Sequence, residues 1–560
     1  IYPQEYYDAL FALISYIITT QTGGTMVISA GIVPTLLQLL NNKNSHQLKN
    51  VTKAVGILDS LVYGFNTSFT SFCNANGVRV LVDRIKEEVD NGIQLVKDVR
   101  DNQMEGITIA NASASAGSSS EVGESVTIEN DISLPYERAS LLKSMLKFVL
   151  HMMQASGTAD GLRNLIDTSL PDSLKKVFEQ PNVFGSSIYA LAINLIATFI
   201  HNEPTSLPIM QEARLPQTFL NSISKEIPAS VDVIQSIPNA FGAICLNAQG
   251  MEIFNQMSPI DKFFTIFTSE EHLRSLQDSD VASVLGTSID ELMRHHPSLK
   301  QSIMNAIMTT LQRIIELGHS STIKDSTSIL HAGSDDDQVI NSEILDGPID
   351  TKMTDSDNTK SDENKTDEKK ENTVVAFIEI AARFLEGLFQ TQNHCKEFLK
   401  QENGLNIILK FYALPVLPYE FGCSQASYSL SHLMRVIADV DPKRSISAIV
   451  GALNETLQGA TNFLSYEGKG ILSEYIDLKE NDTTKIEEAN NTFRTLITLH
   501  GYVGLLSDVY CTPVFSHGKS ASSVIDAFIG TDNDVLPTLG KLHRVCVWEN
   551  VILKSTVPKS

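Results

Sequence analysis

The residues best suited to chemistry in this sequence are two adjacent histidines, in Asp290-Glu291-Leu292-Met293-Arg294-His295-His296-Pro297. Two imidazoles beside two carboxylates are the ligand types a zinc ion takes. The spacing argues against it. Neighbours on a helix point about 100° apart, whereas a shared metal needs histidines one turn apart on one face. The expected role is structural: Asp290, Glu291 and Arg294 forming a salt-bridge and capping network at a helix end, stopped by Pro297.

Other reactive pairings fail on similar grounds. Cys423 and His432 make a thiol–imidazole combination, but they stand nine apart on what reads as one helix. About 13 Å of rise would separate them, far beyond the reach needed to activate a nucleophile. Gly518-Lys519-Ser520 resembles the end of a phosphate-binding loop, yet Pro513 occupies the position of the first required glycine. Cys73, Cys245, Cys395, Cys423, Cys511 and Cys546 are scattered, with no Cys-x-x-Cys pair. Neither a zinc module nor a disulfide framework is expected; reduced thiols in a cytoplasmic and nuclear setting are the simpler account. Asn66 and Asn111 open N-x-[ST] sequons, which an Asn/Ser/Thr-rich chain produces by chance. No catalytic, cofactor-binding or metal-binding residue is assigned, and no cofactor is expected.

The elements that carry these residues read as helices throughout. Leu142, Met145, Leu146, Val149 and Met153 draw an apolar stripe down one helix face. Ile188, Leu191, Ala192, Leu195 and Phe199 repeat it, as do Met304, Ile307, Met308, Leu311 and Ile315, and Val374, Phe377, Ile378, Ala381 and Leu385. Sustained period-2 alternation is hard to find. Ser258-Pro259-Ile260-Asp261 and Asp441-Pro442 are helix starts, with a side-chain cap and a proline at the first helical position.

A weak internal repeat follows. A small or turn residue leads into an apolar helix at Gly31-Ile32, Gly77-Val78, Gly161-Leu162 and Gly404-Leu405. Gly31 and Gly77 are 46 apart, within the ~40–47-residue period of armadillo and HEAT units. The expected fold is therefore an all-α, armadillo/HEAT-like helical solenoid. It would run through 1–101, 134–319 and 373–560 as consecutive stretches of one array. Two excursions interrupt it. The first, 102–133, carries the Ser/Ala/Gly run Ala112 to Ser120, and the second, 320–372, is acidic and poor in large apolar residues. Both are expected to be disordered, because they bury too little to offset the entropy of ordering.

With 66 acidic against 43 basic residues, the net charge is −23. A general nucleic-acid binder would show a basic face instead, so no direct nucleic-acid binding is expected. Basic protein partners would be drawn electrostatically; the acidic 333–371 run reads first as a solvated linker, with attraction of basic clients the sharper alternative. The longest apolar runs, Ala9 to Ile18 and Ile188 to Ile200, fall short of the ~20 residues a membrane span needs. The start at Ile1 rather than a methionine suggests a segment of a longer chain.

Three stretches carry a family likeness: Gly77 to Asp90, Leu285 to Lys300 and Ala413 to Phe421, with weaker support from Leu542-His543-Arg544 and Trp548-Glu549. They resemble the N-terminal armadillo-like region of the giant HECT-type ubiquitin ligases, the group of the HECT, UBA and WWE domain ligase and its fungal relatives. The resemblance implies a parent enzyme whose distant HECT domain takes ubiquitin from a conjugating enzyme onto a cysteine and passes it to substrate lysines. It also implies a scaffold and substrate-facing role for this region. None of the six cysteines can be carried over as that nucleophile. The competing reading is a non-enzymatic armadillo/HEAT adaptor, a transport receptor or tether, with no ubiquitin chemistry in its parent.

Overall fold

In a computed structural model of the chain, the structure describes residues 3–114, 133–154, 165, 168–203, 207–278, 280–320, 362–460, 475, 483–510, 519–529 and 535–556. All regular structure among them is helical, as the 3.6-residue periodicity requires. None of these helices is both long and apolar enough to cross a membrane alone. The chain divides into two units, one of Ile1–Ile266 with Glu291–Ile303 and the other of Phe267–Asp290 with Met304–Ser560.

The first unit alternates helices between two layers. One layer holds α1 (Ile32–Leu40), α3 (Gly77–Ala114), α5 (Leu170–Glu179) and α7 (Leu215–Lys225); the other holds α2 (Leu48–Gly64), α4 (Tyr136–Gln154), α6 (Ser186–Asn202) and α8 (Val231–Ile244). Within each layer consecutive members pack side by side, and this nearest-neighbour stacking is the arrangement of an α-solenoid. The core lies between the layers. An aromatic chain runs along it from Tyr189 to Phe178, Phe219 and Phe241, with centroids 5.6, 5.3 and 6.3 Å apart, and branches to Phe254 and Phe263. Edge-on and tilted rings at this separation set positive edge against negative face.

In α4 all five residues of the predicted stripe are buried. In α6 four are buried, but Leu191 is only half-covered and turns toward the open face. In the second unit the Val374–Leu385 stripe lies wholly inside. Its helices Asp362–Leu388, Gln425–Val440 and Thr483–Tyr510 pack in that order, opposite Gly404–Lys410 and Pro442–Gly459.

A sharp joint recurs before helices in both units. Gly31, Asn76, Arg214, Ser258 and Asn403 all have positive φ, and each immediately precedes a helix. Gly31 takes that conformation at no steric cost and asparagine tolerates it. At Gly77 and Gly404 the preceding asparagine makes the turn, and the glycine serves packing instead. A Cβ on Gly77 would meet the Phe72 ring at 2.6 Å, and one on Gly404 the Phe398 carbonyl oxygen at 2.4 Å. The expected turn at Gly161-Leu162 lies outside the described residues.

Helix starts divide the expectations. Asp441 accepts from the Arg444 amide at 3.2 Å, the predicted cap. Ser258 does not cap: its left-handed backbone turns the hydroxyl away, and it donates to the Asn255 carbonyl at 3.2 Å. Pro259 and Asp261 occupy the first turn as expected. The expected edges at 101 and 373 are crossed by helices, since α3 continues to Ala114 and another begins at Asp362. The central parts of both expected inserts, 115–132 and 321–361, lie outside the described residues.

Candidate functional site

The His295-His296 cluster comes apart in the structure. His295 is exposed while His296 is buried, so the two imidazoles leave the helix in different directions. His296 lies near Gly242, and burial holds its pKa below the ordinary histidine value, opposed by a hydrogen bond to the Gly242 backbone. Glu291 and Arg294 form the expected surface ion pair at 3.6 Å. Asp290 departs from that network. Its carboxylate is buried, with Oδ1 2.5 Å from the Nδ1 of His394 and Oδ2 accepting from the Thr391 hydroxyl at 3.0 Å. The partners lie over a hundred residues further on, so no local pattern announces them.

Cys423 and His432 are not on one helix. Cys423 ends the short 3-10 turn Tyr419–Cys423, Ser424 caps the next helix through the Ser427 amide, and His432 pairs with Glu386 at 3.2 Å. Burial pushes the thiols of Cys245 and Cys395 up to about 12, and those of Cys73 and Cys546 upward, so little of any of these four is thiolate at neutral pH. Cys511 and Gly518 lie outside the described residues, and Lys519 and Ser520 open the helix Lys519–Ile529. Among the described residues no group of three or more His, Cys, Asp or Glu side chains is placed to hold a metal.

The resemblance-bearing stretches serve as packing joints. In Gly77–Asp90, Arg84 and Glu88 sit one turn apart and buried, paired at 2.8 Å, and Arg138 of α4 closes on the same carboxylate at 2.7 Å. Lys176 of α5 pairs with Asp90. In Leu285–Lys300, Gly286 lies against the backbone of Phe384, Gly387 and Leu388. In Ala413–Phe421, Leu414, Val416, Leu417 and Phe421 are buried, with Phe421 edge-on to Tyr412 at 5.7 Å.

Among the described residues a cleft of about 430 Å³ opens on the second layer. Lys143 and Lys147 of α4, Ser187, Ala190, Leu191 and Asn194 of α6, and Asp232, Gln235 and Ser236 of α8 line it. The core stripes explain it. Once Leu142, Met145, Leu146 and Val149 of α4 and Val233, Ile234 and Ile237 of α8 face inward, residues offset from them face out. Among the described residues Lys143, Lys147, Asn194, Asp232 and Gln235 have no hydrogen-bond or ion-pair partner, whereas the Ser236 hydroxyl donates to the Val233 carbonyl. Lys53, by contrast, is tied to Asp8, whose carboxyl is pulled down to about 2 by hydrogen bonds from Lys53 and Gln4. The cleft thus offers ammonium, amide and carboxylate groups open to water over a small apolar floor. That set is chemically suited to polar complementarity and contains no activated nucleophile. Sequence reading missed it because its residues come from three helices and form no motif.

Helices stacked on their nearest neighbours in two layers define an all-α helical solenoid. The chain belongs to the family described as Domain of Unknown Function (DUF913), whose model matches residues 52–420. It is 31% identical to the E3 ubiquitin-protein ligase ptr1 of Schizosaccharomyces pombe over 92% of this chain and 14% of that one. To the E3 ubiquitin-protein ligase HUWE1 of Mus musculus it is 26% identical, over 99% of this chain and 13% of the relative. To the E3 ubiquitin-protein ligase TOM1 of Saccharomyces cerevisiae the figures are 22%, 100% and 16%. The chain therefore spans about one-seventh of the length of these relatives.

Proposed function

We propose that this chain is a non-catalytic scaffold and substrate-holding segment of a HECT-type ubiquitin-protein ligase. In the longer protein, ubiquitin would pass from a conjugating enzyme through a cysteine outside these residues to lysines of bound substrates. The observation that carries the reading is the match to named ubiquitin ligases along nearly the whole chain. The cleft, and the burial that pushes the thiols of Cys245 and Cys395 up to about 12, fit a holding role. The net charge of −23 favours basic substrates, met in the cytoplasm and nucleus.

The experiment compares the full-length protein with a form lacking these 560 residues. Thioester formation with ubiquitin at a downstream cysteine should survive the deletion, while transfer to substrate should fall. A full-length protein that forms no ubiquitin thioester would overturn the ligase reading in favour of an adaptor. Substrate transfer unchanged by the deletion would remove the holding role.

A further inference from the structure

The cleft between α4, α6 and α8 has a charge order. Two ammonium groups one helical turn apart, Lys143 and Lys147, stand on α4, uncharged Asn194 and Ser187 follow on α6, and the carboxylate of Asp232 stands on α8 with Gln235 one turn on. The helices pack in that sequence, α4 on α6 and α6 on α8. A ligand crossing the layer would therefore meet positive, neutral and negative groups in turn. All of these groups lack partners within the described residues, so a ligand displaces water and breaks no internal pair.

Adjacent packed helices lie about 8–10 Å apart, which puts α4 and α8 roughly 16–20 Å apart across the layer. An extended peptide advances about 3.3 Å per residue, so five or six residues cover that span. Asn194 and Gln235 carry side-chain amides with both a donor and an acceptor, the pair that an extended backbone presents. Ala190 and half-buried Leu191 supply an apolar floor for one side chain midway.

We infer that the cleft takes an extended peptide segment running across α4, α6 and α8, with a carboxylate side chain at Lys143 and Lys147 and a basic side chain at Asp232, about five or six residues apart. This rests on the substrate-holding reading and names the class of segment held. The opposite end charges make the spacing of the two peptide charges a quantity that this cleft reads, beside the pull of the chain's overall negative charge.

The test uses the 560-residue chain and fluorescein-labelled decapeptides in a Ser/Gly background with one central leucine, one glutamate and one lysine. The separation of the two charges varies from two to eight residues, in both chain directions, and binding is followed by fluorescence anisotropy at low salt. The inference expects tightest binding at five or six residues and, in one direction, about three- to five-fold weaker binding at two, where only one of the two charge contacts can form, each such contact at an exposed site being worth a few-fold at most. The variant combining Lys143→Glu and Lys147→Glu should lose that preference. It should regain it for a peptide with lysine in place of the glutamate and the original lysine kept, which also shows that the variant is folded. Binding that ignores separation, or a double variant that binds the original set unchanged, overturns the inference. Free glutamate or lysine competing as well as the peptides would mark a small-molecule site and overturn it equally. None of these results touches the deletion experiment, so the peptide specificity fails separately from the holding role.

Discussion

Gly286 and Gly387 are reciprocal: a methyl on Gly286 would lie 2.1 Å from the Phe384 carbonyl oxygen, and one on Gly387 would lie 2.0 Å from that of Ser283. The helix bearing Gly286 and the helix Asp362–Leu388 thus cross backbone against backbone at a point where neither accepts a Cβ. Backbone cannot swing aside as a long side chain can. Gly286→Ala should therefore destabilise the second unit by about 2 kcal/mol or more, toward the upper end of overpacking costs. Chemical denaturation followed by helix signal checks this. The combined Gly286→Ala and Gly387→Ala variant should cost less than the sum, because one separation of the helices relieves both clashes. Full additivity would show that the crossing is looser than it looks.

The buried carboxylate of Asp290 carries a second prediction. It receives the His394 ring and the Thr391 hydroxyl where water is excluded. Asp290→Ala strands both groups and should cost about 3–5 kcal/mol, the scale for removing one partner of a buried pair. Thr391→Val leaves the imidazole contact in place and should cost nearer 1 kcal/mol. Equal losses from the two would mean that the hydroxyl, and not the histidine, is the main partner.

Glu88 sits between two guanidinium groups, Arg84 buried beside it on α3 and Arg138 reaching in from α4. Glu88→Ala should be among the most damaging single changes in the first unit, at about 3–5 kcal/mol, since it leaves a buried Arg84 without its counter-charge. Replacing Arg84 and Glu88 together by Met and Leu should recover most of that loss. If the apolar pair is as unstable as Glu88→Ala alone, the charges contribute more than mutual compensation. The readout is the denaturation midpoint at constant m-value.

Much of this architecture was legible in the sequence, for a physical reason. Periodicity is local, so the stripes at Leu142–Met153 and Val374–Leu385 reported the buried faces directly. Leu191 shows the limit of that inference. It sits on the apolar stripe by spacing, yet the stripe is wider than the core contact, and the structure uses this leucine as floor of the cleft. The joints show another. Gly31 advertises a left-handed turn, but Arg214 and Ser258 make the same turn with residues that give no sign of it. Both residues are exposed, so no burial pattern marks those two turns in the sequence. The cleft was invisible too, since Lys147, Asn194 and Asp232 become neighbours only once three helices align. Asp290 was misassigned to a helix-end network because its partners, Thr391 and His394, come from a distant helix.

His296 gives the last prediction, and its sign follows from its surroundings. Burial favours the neutral ring, with the like charges of His295 and His201 acting the same way, and the Gly242 backbone opposes them. The folded pKa therefore lies below the unfolded value of about 6.5. Between those two values the unfolded chain binds the extra proton, so stability rises with pH there. The stabilisation is complete above about pH 6.5–7 and is lost as pH falls toward the folded pKa. Midpoints of denaturant unfolding for the first unit, measured from pH 7.5 down to pH 5, should decline, and His296→Gln should decline less over the same interval. The substitution keeps a hydrogen-bonding amide near Gly242 while removing the titration, so a general loss of packing would lower every midpoint without changing the slope. A variant whose curve runs parallel to that of the unsubstituted chain would assign the pH dependence to other groups.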